Sequence, residues 1–145
     1  MELARKIVEN GHAARKLSGI QVRQPLVKIT VVHSTKALDD DILQLIKDEL
    51  NVKKVAWKVE VGKAEPEVDL DTEITPDLEE EGKTRELARQ IQEERKRLKT
   101  PLDAIINVTT PWLPQEAENL EWLKKRTLTR ELKKGEKLVV KEVSR

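Results

Sequence analysis

The sequence predicts an α+β fold made of two lobes, each with the element order helix, strand, helix, strand. Three observations favour this fold. Aliphatic residues recur at helical spacing in four segments, they alternate with a period of two in others, and capping or helix-breaking residues separate the segments. The sheets are expected to be small and either mixed or antiparallel. With 145 residues, three Trp and no Phe or Tyr, the chain must build a mostly aliphatic core.

The first half of the chain predicts two helices and three strands. The spacing of Leu, Ile and Ala predicts helices near 2–17 and 38–50, and alternation predicts strands over 26–32, 52–61 and 67–74. The last two strands are expected to form a hairpin, because only a short Gly-containing loop separates them. The half-buried face of the second strand is expected to carry Val55, Trp57, Val59 and Val61.

The second half predicts the longest helix of the chain, near 76–99, which Thr75-Pro76 is placed to begin. Its buried stripe is expected to consist of Leu87, Ile91 and Leu98. The segments that follow are predicted as a strand, a short helix and a strand, over 104–110, 114–125 and 137–143. The tetrapeptide ELAR occurs at 2–5 and again at 86–89, which together with the shared element order indicates an internal duplication.

The net charge of +1 hides an uneven distribution. Residues 1–36 carry seven Lys or Arg and two Asp or Glu, residues 37–82 carry five and fifteen, and residues 83–145 carry sixteen and ten. The balances are thus +5, −10 and +6. Two basic segments around an acidic one are typical of a protein that binds a polyanion in a fixed orientation. A solvated surface of mixed charge is the alternative.

The residues needed for catalysis or metal binding are mostly missing. The chain has no Cys, which excludes a disulfide scaffold, a thiolate zinc site and cysteine catalysis, and which fits a cytoplasmic location. His12 and His33 lack the spacing of metal ligands, and a helix N-terminus explains the run 39–41, Asp-Asp-Asp, as well as a cation does. The sequence has no phosphate-binding glycine loop and no nucleophile–base pair. We therefore expect no enzyme activity, no cofactor, no metal and no membrane span.

The long helix predicts a row of residues suited to nucleic-acid phosphates. The members fall at i, i+4, i+7, i+11 and i+14 and are Arg85, Arg89, Gln92, Lys96 and Lys99. Arg95 and Arg97 flank this row, and Trp112, in a loop, is the candidate for stacking on a base. Further candidates in the basic N-terminal segment are Arg15, Lys16 and Arg23. Such a row can contact successive phosphates, but a solubilising face with i, i+4 ion pairs has the same pattern.

Residues 4–31, ARKIVENGHAARKLSGIQVRQPLVKITV, resemble the segment of class I isoleucine–tRNA ligases in which the anticodon-binding helical domain gives way to the C-terminal extension. Three further stretches are similar to the family, namely DELNVKKVAW at 48–57, VDLDTEITPDLEEEG at 68–82 and TRELARQIQEERKRL at 84–98. A fourth, EWLKKRTLTREL at 121–132, is similar in pattern but looser. Because it has no Cys, the chain resembles the members of the family that lack a C-terminal zinc module.

The resemblance implies a noncatalytic tRNA-binding module of a cytoplasmic synthetase, whose partners are isoleucine-specific tRNA and the remainder of the synthetase. The two ATP-site motifs of class I synthetases are absent from this sequence, so catalysis would lie elsewhere. The alternative is a structural module that packs on the synthetase body or on itself without contacting RNA. Gly82, Arg85 and Glu86 match the family's Gly-x-x-Arg-Glu pattern, in which a buried structural ion pair is the alternative role for Arg85.

The chain is expected to divide into three parts, the first of which follows from the resemblance. Residues 1–24 correspond to a helix from the end of the anticodon-binding domain. Residues 25–66 are then expected to form the first α/β lobe. Residues 67–145 are expected to form the long helix and the second α/β lobe.

Overall fold

Four α-helices and six β-strands are present in residues 2–143, the part of the chain that the structure, a computed structural model, describes. In chain order they are α1 (Glu2–Ser18), β1 (Leu26–His33), α2 (Asp40–Leu50), β2 (Val52–Val59), β3 (Glu67–Leu70), α3 (Pro76–Arg97), β4 (Ile106–Thr110), α4 (Ala117–Thr127), β5 (Thr129–Lys134) and β6 (Val139–Glu142). The α+β class predicted from the sequence is confirmed.

The elements divide into two units, with the boundary between Glu79 and Glu80. Each unit holds one three-stranded sheet, in the order β2–β1–β3 in the first unit and β5–β4–β6 in the second. In both sheets the central strand pairs parallel with one neighbour and antiparallel with the other. The two units therefore repeat one topology. The expected small sheets are present and are mixed, and each unit has three strands where the predicted element order has two.

The core of the first unit is aliphatic and draws on all five of its elements. Ile7 from α1, Ile29 from β1 and Leu50 from α2 are fully buried. Gly11 permits the two helices to approach closely, because a Cβ at this position would lie 2.6 Å from the Leu50 methyl groups. The helices thus cover the sheet face that carries Ile29 and Val31, and alternation places Lys28, Thr30 and Val32 on the opposite face.

The core of the second unit joins α3, β4, α4 and β6 through seven buried residues. They are Leu87, Ala88, Ile91, Ile106, Val108, Leu123 and Val140. The expected third member of the α3 stripe is wrong, because Leu98 is 45% exposed. The helix ends at Arg97, and the residue one turn beyond Ile91 on the buried stripe is Arg95, which is 5% exposed.

The predicted hairpin between the second and third strands is also wrong. Both strands pair with β1, from opposite sides, so β1 separates them. A helical crossover through α2 makes β1 and β2 parallel neighbours, which leaves the other edge of β1 for β3. This pairing places residues 67–70 in the first unit, whereas the sequence predicted that the second lobe begins at residue 67. Val59 is 58% and Val61 96% exposed, so the buried face of β2 stops at Trp57.

One strand was not predicted at all. β5 has the sequence TRELKK, in which Leu132 is the one aliphatic residue, and it pairs parallel with β4 at the edge of the second sheet. The alternating pattern is broken further by a bulge opposite Ile106 and Asn107. The last predicted strand corresponds to β6, and the helix predicted over 114–125 spans Ala117–Thr127.

Candidate nucleic-acid interface

Two of the basic residues predicted to contact tRNA are buried in the protein. Arg15 is 1% and Arg95 5% exposed. The Arg15 guanidinium donates hydrogen bonds to the main-chain carbonyls of Leu50, Gln21 and Asn51, over 2.8–3.0 Å. Arg15 therefore fastens α1 to the end of α2, and the prediction that it contacts RNA is corrected to a structural role.

Arg95 makes the equivalent set of contacts in the second unit. Its Nη1 and Nη2 atoms donate to four main-chain carbonyls over 2.8–3.3 Å, those of Ala104, Thr127, Pro101 and Leu102. No RNA phosphate can reach this guanidinium without opening the fold. The prediction that Arg95 contacts RNA is therefore also corrected to a structural role. Sequence reasoning missed this role although the signal was present, since Arg95 lies one turn after Ile91 on the apolar stripe.

The first two members of the predicted row are engaged within α3 and α4. The Arg85 guanidinium lies over the Trp122 ring, 5.3 Å from its centroid, and 3.9 Å from a Glu81 carboxylate oxygen. Arg89 donates to Glu86 over 2.6–3.2 Å and to Glu93 as well. The hydrogen bond to Glu86 is the main cause that raises the pKa of Arg89. Both cations are thus compensated by neighbours on their own helix, as the alternative interpretation of the row expected.

The other end of the row meets a second group of cations. Gln92 donates from Nε2 to the carbonyl of Arg126 over 2.9 Å, which ties α3 to the last turn of α4. Lys96 lies one helical turn after Gln92, and Lys96, Lys99 and Arg126 are all exposed. Arg130, also exposed, follows two residues after the Leu128 cap that ends α4. We call these four cations, Lys96, Lys99, Arg126 and Arg130, the basic corner.

Sequence reasoning missed half of the basic corner. Residues 124–134, KKRTLTRELKK, contain six Lys or Arg and one Glu, the densest basic run of the chain, and this run was the available signal. The helix dipole gives three of these cations a structural reason to lie in the last turn of α4. Arg130, Lys133 and Lys134 lie on β5, where no such dipole acts.

Trp112 is not the open stacking platform that its loop position predicted. The ring is partly buried against the second core, and Lys83 Nζ lies 5.9 Å from the ring centroid. The remaining candidates, Lys16 and Arg23, are exposed and belong to the first unit. The structure therefore brings Gln92 and Lys96 together with the end of α4, and Lys99 follows the end of α3.

Neither histidine is arranged as a metal ligand. His33 is the last residue of β1 and is 7% exposed. Its ring nitrogens lie 2.8 Å from Thr35 Oγ1 and 3.0 Å from the Ala64 carbonyl oxygen. Within residues 2–143, no three His, Asp or Glu side chains are grouped so that they could hold a metal ion. In the same residues, no helix is long and apolar enough to cross a membrane.

Comparison with known proteins gives one consistent similarity. The chain is 43% identical to a protein of Clostridium acetobutylicum over 84 residues, which is 58% of the chain and 7% of that protein. It is 29% identical to a protein of Dehalococcoides mccartyi strain CBDB1 over 156 aligned positions, 93% of the chain and 15% of that protein. A Chlamydia abortus protein is 46% identical over 56 residues. No family model matches.

The chain is thus similar to a segment of an aminoacyl-tRNA ligase. The particular ligase is isoleucine–tRNA ligase, the name that all three relatives carry, and the resemblance seen in the sequence is confirmed. The chain spans only 7–15% of the length of the Clostridium and Dehalococcoides relatives.

Proposed function

We propose that this chain is a noncatalytic tRNA-binding module from the C-terminal region of an isoleucine–tRNA ligase, and that it positions the anticodon region of the tRNA through phosphate contacts. The observation that carries the proposal is the basic corner. Its four cations lie on α3, just after α3, on α4 and on β5 of one unit, and all four are exposed. Hydrogen bonds from Gln92 to Arg126 and from Arg95 to Thr127 hold the end of α3 against the end of α4. The similarity to isoleucine–tRNA ligases supplies the partner, since the relatives carry that name.

The chemistry of such a module is electrostatic positioning. Lys and Arg contacts to phosphates fix the orientation of a nucleic acid but carry no sequence information. Each phosphate contact contributes about −0.7 to −0.9 to the slope of log affinity against log salt. Four contacts at the basic corner would give a slope of about −3. Activation of isoleucine would belong to other parts of the synthetase, because this chain lacks the two ATP-site motifs.

The test is a titration of the chain with isoleucine-specific tRNA at 50 and 200 mM salt. The variant Lys96→Gln/Arg126→Gln removes two charges from the basic corner. The slope of log affinity against log salt should therefore change from about −3 to about −1.5. The matched control Lys137→Gln/Lys141→Gln removes two exposed charges near β6 of the same unit and should leave the slope nearly unchanged. Absence of salt-dependent tRNA binding by the unmodified chain would refute the proposal.

One observation favours the second candidate, a module that packs on the synthetase body. A groove of about 490 Å³ lies between α1 and α2, and its apolar lining includes Val8, Ile42 and Leu45. Leu45 is 54% exposed and contributes part of this apolar lining to the surface. If this candidate holds, Leu45→Asp will abolish association with the remainder of the synthetase, or self-association, in sedimentation experiments, and tRNA affinity will not depend on the basic corner.

A further inference from the structure

The first sheet carries three lysines on the face opposite α1 and α2. In the parallel β1–β2 pair, Lys28 lies directly opposite Lys54, and Val32 lies opposite Lys58. Ile29 and Val31, which alternate with these positions, point into the core. All three lysines are exposed. The open face of this sheet is therefore basic along its β1–β2 half.

This arrangement has an electrostatic cost in the isolated protein. Like charges directly opposite each other on neighbouring strands destabilise a sheet, and strands lie about 4.8 Å apart. Within residues 2–143, none of the three lysines forms an ion pair. The acids on the same face lie along the β3 side of β1. Glu67 and Asp69 are on β3, and Asp71 follows it, with its amide donating to the Lys28 carbonyl over 3.0 Å. Glu67 is paired with Lys63 at 2.6 Å, and Asp71 Oδ1 accepts from the Glu73 amide over 3.1 Å.

The second unit shows that the fold does not require this cluster. The first pair on the open face of its sheet consists of Asn107 and Glu131, and the Glu131 amide donates to Asn107 Oδ1 over 3.2 Å. Lys133 on the same strand lies 3.8 Å from Glu131. On this face the β4–β5 pair thus combines Glu131 with Lys133, and Lys141 of β6 lies opposite Asn107. The β1–β2 pair instead carries three lysines and no acid.

We propose that Lys28, Lys54 and Lys58 bind the phosphate backbone of a single RNA strand that lies along β1 and β2. Lys54 and Lys58 are four residues apart on one strand, or about 13 Å, so the lysines match an extended polyanion better than one phosphate group. Thr30 and Ala56, paired between them, leave a floor of small side chains. Acidic β3 directs the strand away from the other edge. The inference rests on the proposed function in taking RNA as the polyanion.

The experiment uses the full chain and a fluorescently labelled 12-nucleotide oligouridine, followed by anisotropy at 50 and 200 mM salt. Three phosphate contacts give a salt slope of about −2, which corresponds to roughly 20-fold over this salt range. The unmodified chain should therefore lose roughly 20-fold more affinity on salt addition than the variant Lys28→Gln/Lys54→Gln/Lys58→Gln. The control Lys133→Gln/Lys137→Gln/Lys141→Gln removes the same charge from the second unit and should retain the slope. Circular dichroism and melting temperature establish that both variants are folded.

The outcomes separate this inference from the proposed function. If the sheet variant keeps the full salt slope for oligouridine, the inference is overturned, and loss of tRNA binding in the basic-corner variant would still support the proposed function. If the unmodified chain fails to bind isoleucine-specific tRNA but binds oligouridine through the three lysines, the proposed function fails and the lysine face stands. A control variant that loses as much affinity as the sheet variant overturns the inference, because binding would then follow net charge alone.

Discussion

Arg15 and Arg95 occupy the same position in the two units. Each donates to the carbonyl of the residue six positions further along the chain, Gln21 and Pro101 respectively. Each also donates to the carbonyl of the last residue of its unit's second helix. Each guanidinium thus interacts with the negative, C-terminal end of that helix. Burial lowers the pKa of Arg15, but an arginine stays protonated under all ordinary conditions.

We expect Arg95→Ala to destabilise the protein by roughly 3 kcal/mol, because several buried carbonyls lose a charged donor at once. Urea denaturation measures this change. Lys96→Ala, one residue further along α3, is the control and should change stability by less than about 0.5 kcal/mol. An Arg95→Ala protein as stable as the control would show that the carbonyls find other partners.

The Glu80 carboxylate holds the segment that leads into α4. It accepts hydrogen bonds from the amides of Gln115 and Glu116 and from Asn119 Nδ2, and the bond from Gln115 is the main cause that lowers the pKa of Glu80. Since the pKa is lower in the folded state, this stabilisation is fully present above the ordinary value of 4.5 and is lost as the pH falls through the folded-state pKa.

Glu80→Gln should therefore cost about 1 kcal/mol at pH 7, because hydrogen bonds to a charged group are weakened. The difference from the unmodified chain should shrink as the pH falls below 4.5. Melting curves between pH 7 and about pH 3 would measure it, with the exposed Glu136→Gln as control. A deficit that stays constant across this range would argue against a role for the ionised carboxylate.

Arg85→Ala tests whether the start of the predicted row is structural. The guanidinium stacks on Trp122, and such contacts are worth about 0.5–2 kcal/mol. We expect a lower melting temperature with unchanged tRNA affinity, both measured on the same variant, and a partial rescue by Arg85→Lys. Loss of tRNA affinity without loss of stability would show instead that Arg85 contacts the RNA.

Lys96 and Arg89 lie on the same helix but should differ in their effect on tRNA binding. Lys96 belongs to the basic corner, so Lys96→Ala should reduce the salt slope of tRNA binding by about 0.7–0.9. Arg89 is already bound to Glu86 and Glu93, and Arg89→Ala should reduce the slope by less. Equal effects of the two substitutions would mean that the binding follows total charge and not the corner.

Lys54→Glu would place a carboxylate opposite Lys28 in the β1–β2 pair. Replacing a like-charge pair with an opposite-charge pair should stabilise the free protein by about 0.2–1 kcal/mol at low salt, and 1 M salt should remove most of that gain. Thermal unfolding at the two salt concentrations measures the difference. A destabilised variant at low salt would show that the two lysines do not repel each other.

The sequence predicts those parts of the fold that depend on periodicity. The α3 stripe begins at Leu87 and Ile91 as expected, because 3.6-residue spacing determines which side chains share a face. Strand partners depend on tertiary packing, so alternation alone cannot tell whether β3 pairs with β2 or with β1. The ELAR repeat misleads for a similar reason. It relates positions 84 residues apart, whereas the equivalent Arg15 and Arg95 are 80 apart.

The candidate site is less predictable than the fold. Arg95 and Lys96 are neighbours with similar charge, yet one is buried and the other exposed, because a single residue turns a helix by about 100°. The basic corner forms because α3 packs against the end of α4, where Gln92 donates a hydrogen bond to the Arg126 carbonyl. This contact joins residues 34 positions apart, so no local sequence pattern predicts it.

The short connection between α2 and β2 ties the phase of a strand to the end of a helix. Only Asn51, in the left-handed conformation with φ 53°, separates Leu50 from Val52. No slack exists there to absorb an inserted or deleted residue. A one-residue insertion would exchange the two faces of β2, turning Lys54 and Lys58 towards the core and bringing their aliphatic neighbours to the solvent. The single left-handed residue thus fixes the register of β2. Insertions or deletions at this junction should destabilise the fold far more than insertions or deletions in the loop 60–66.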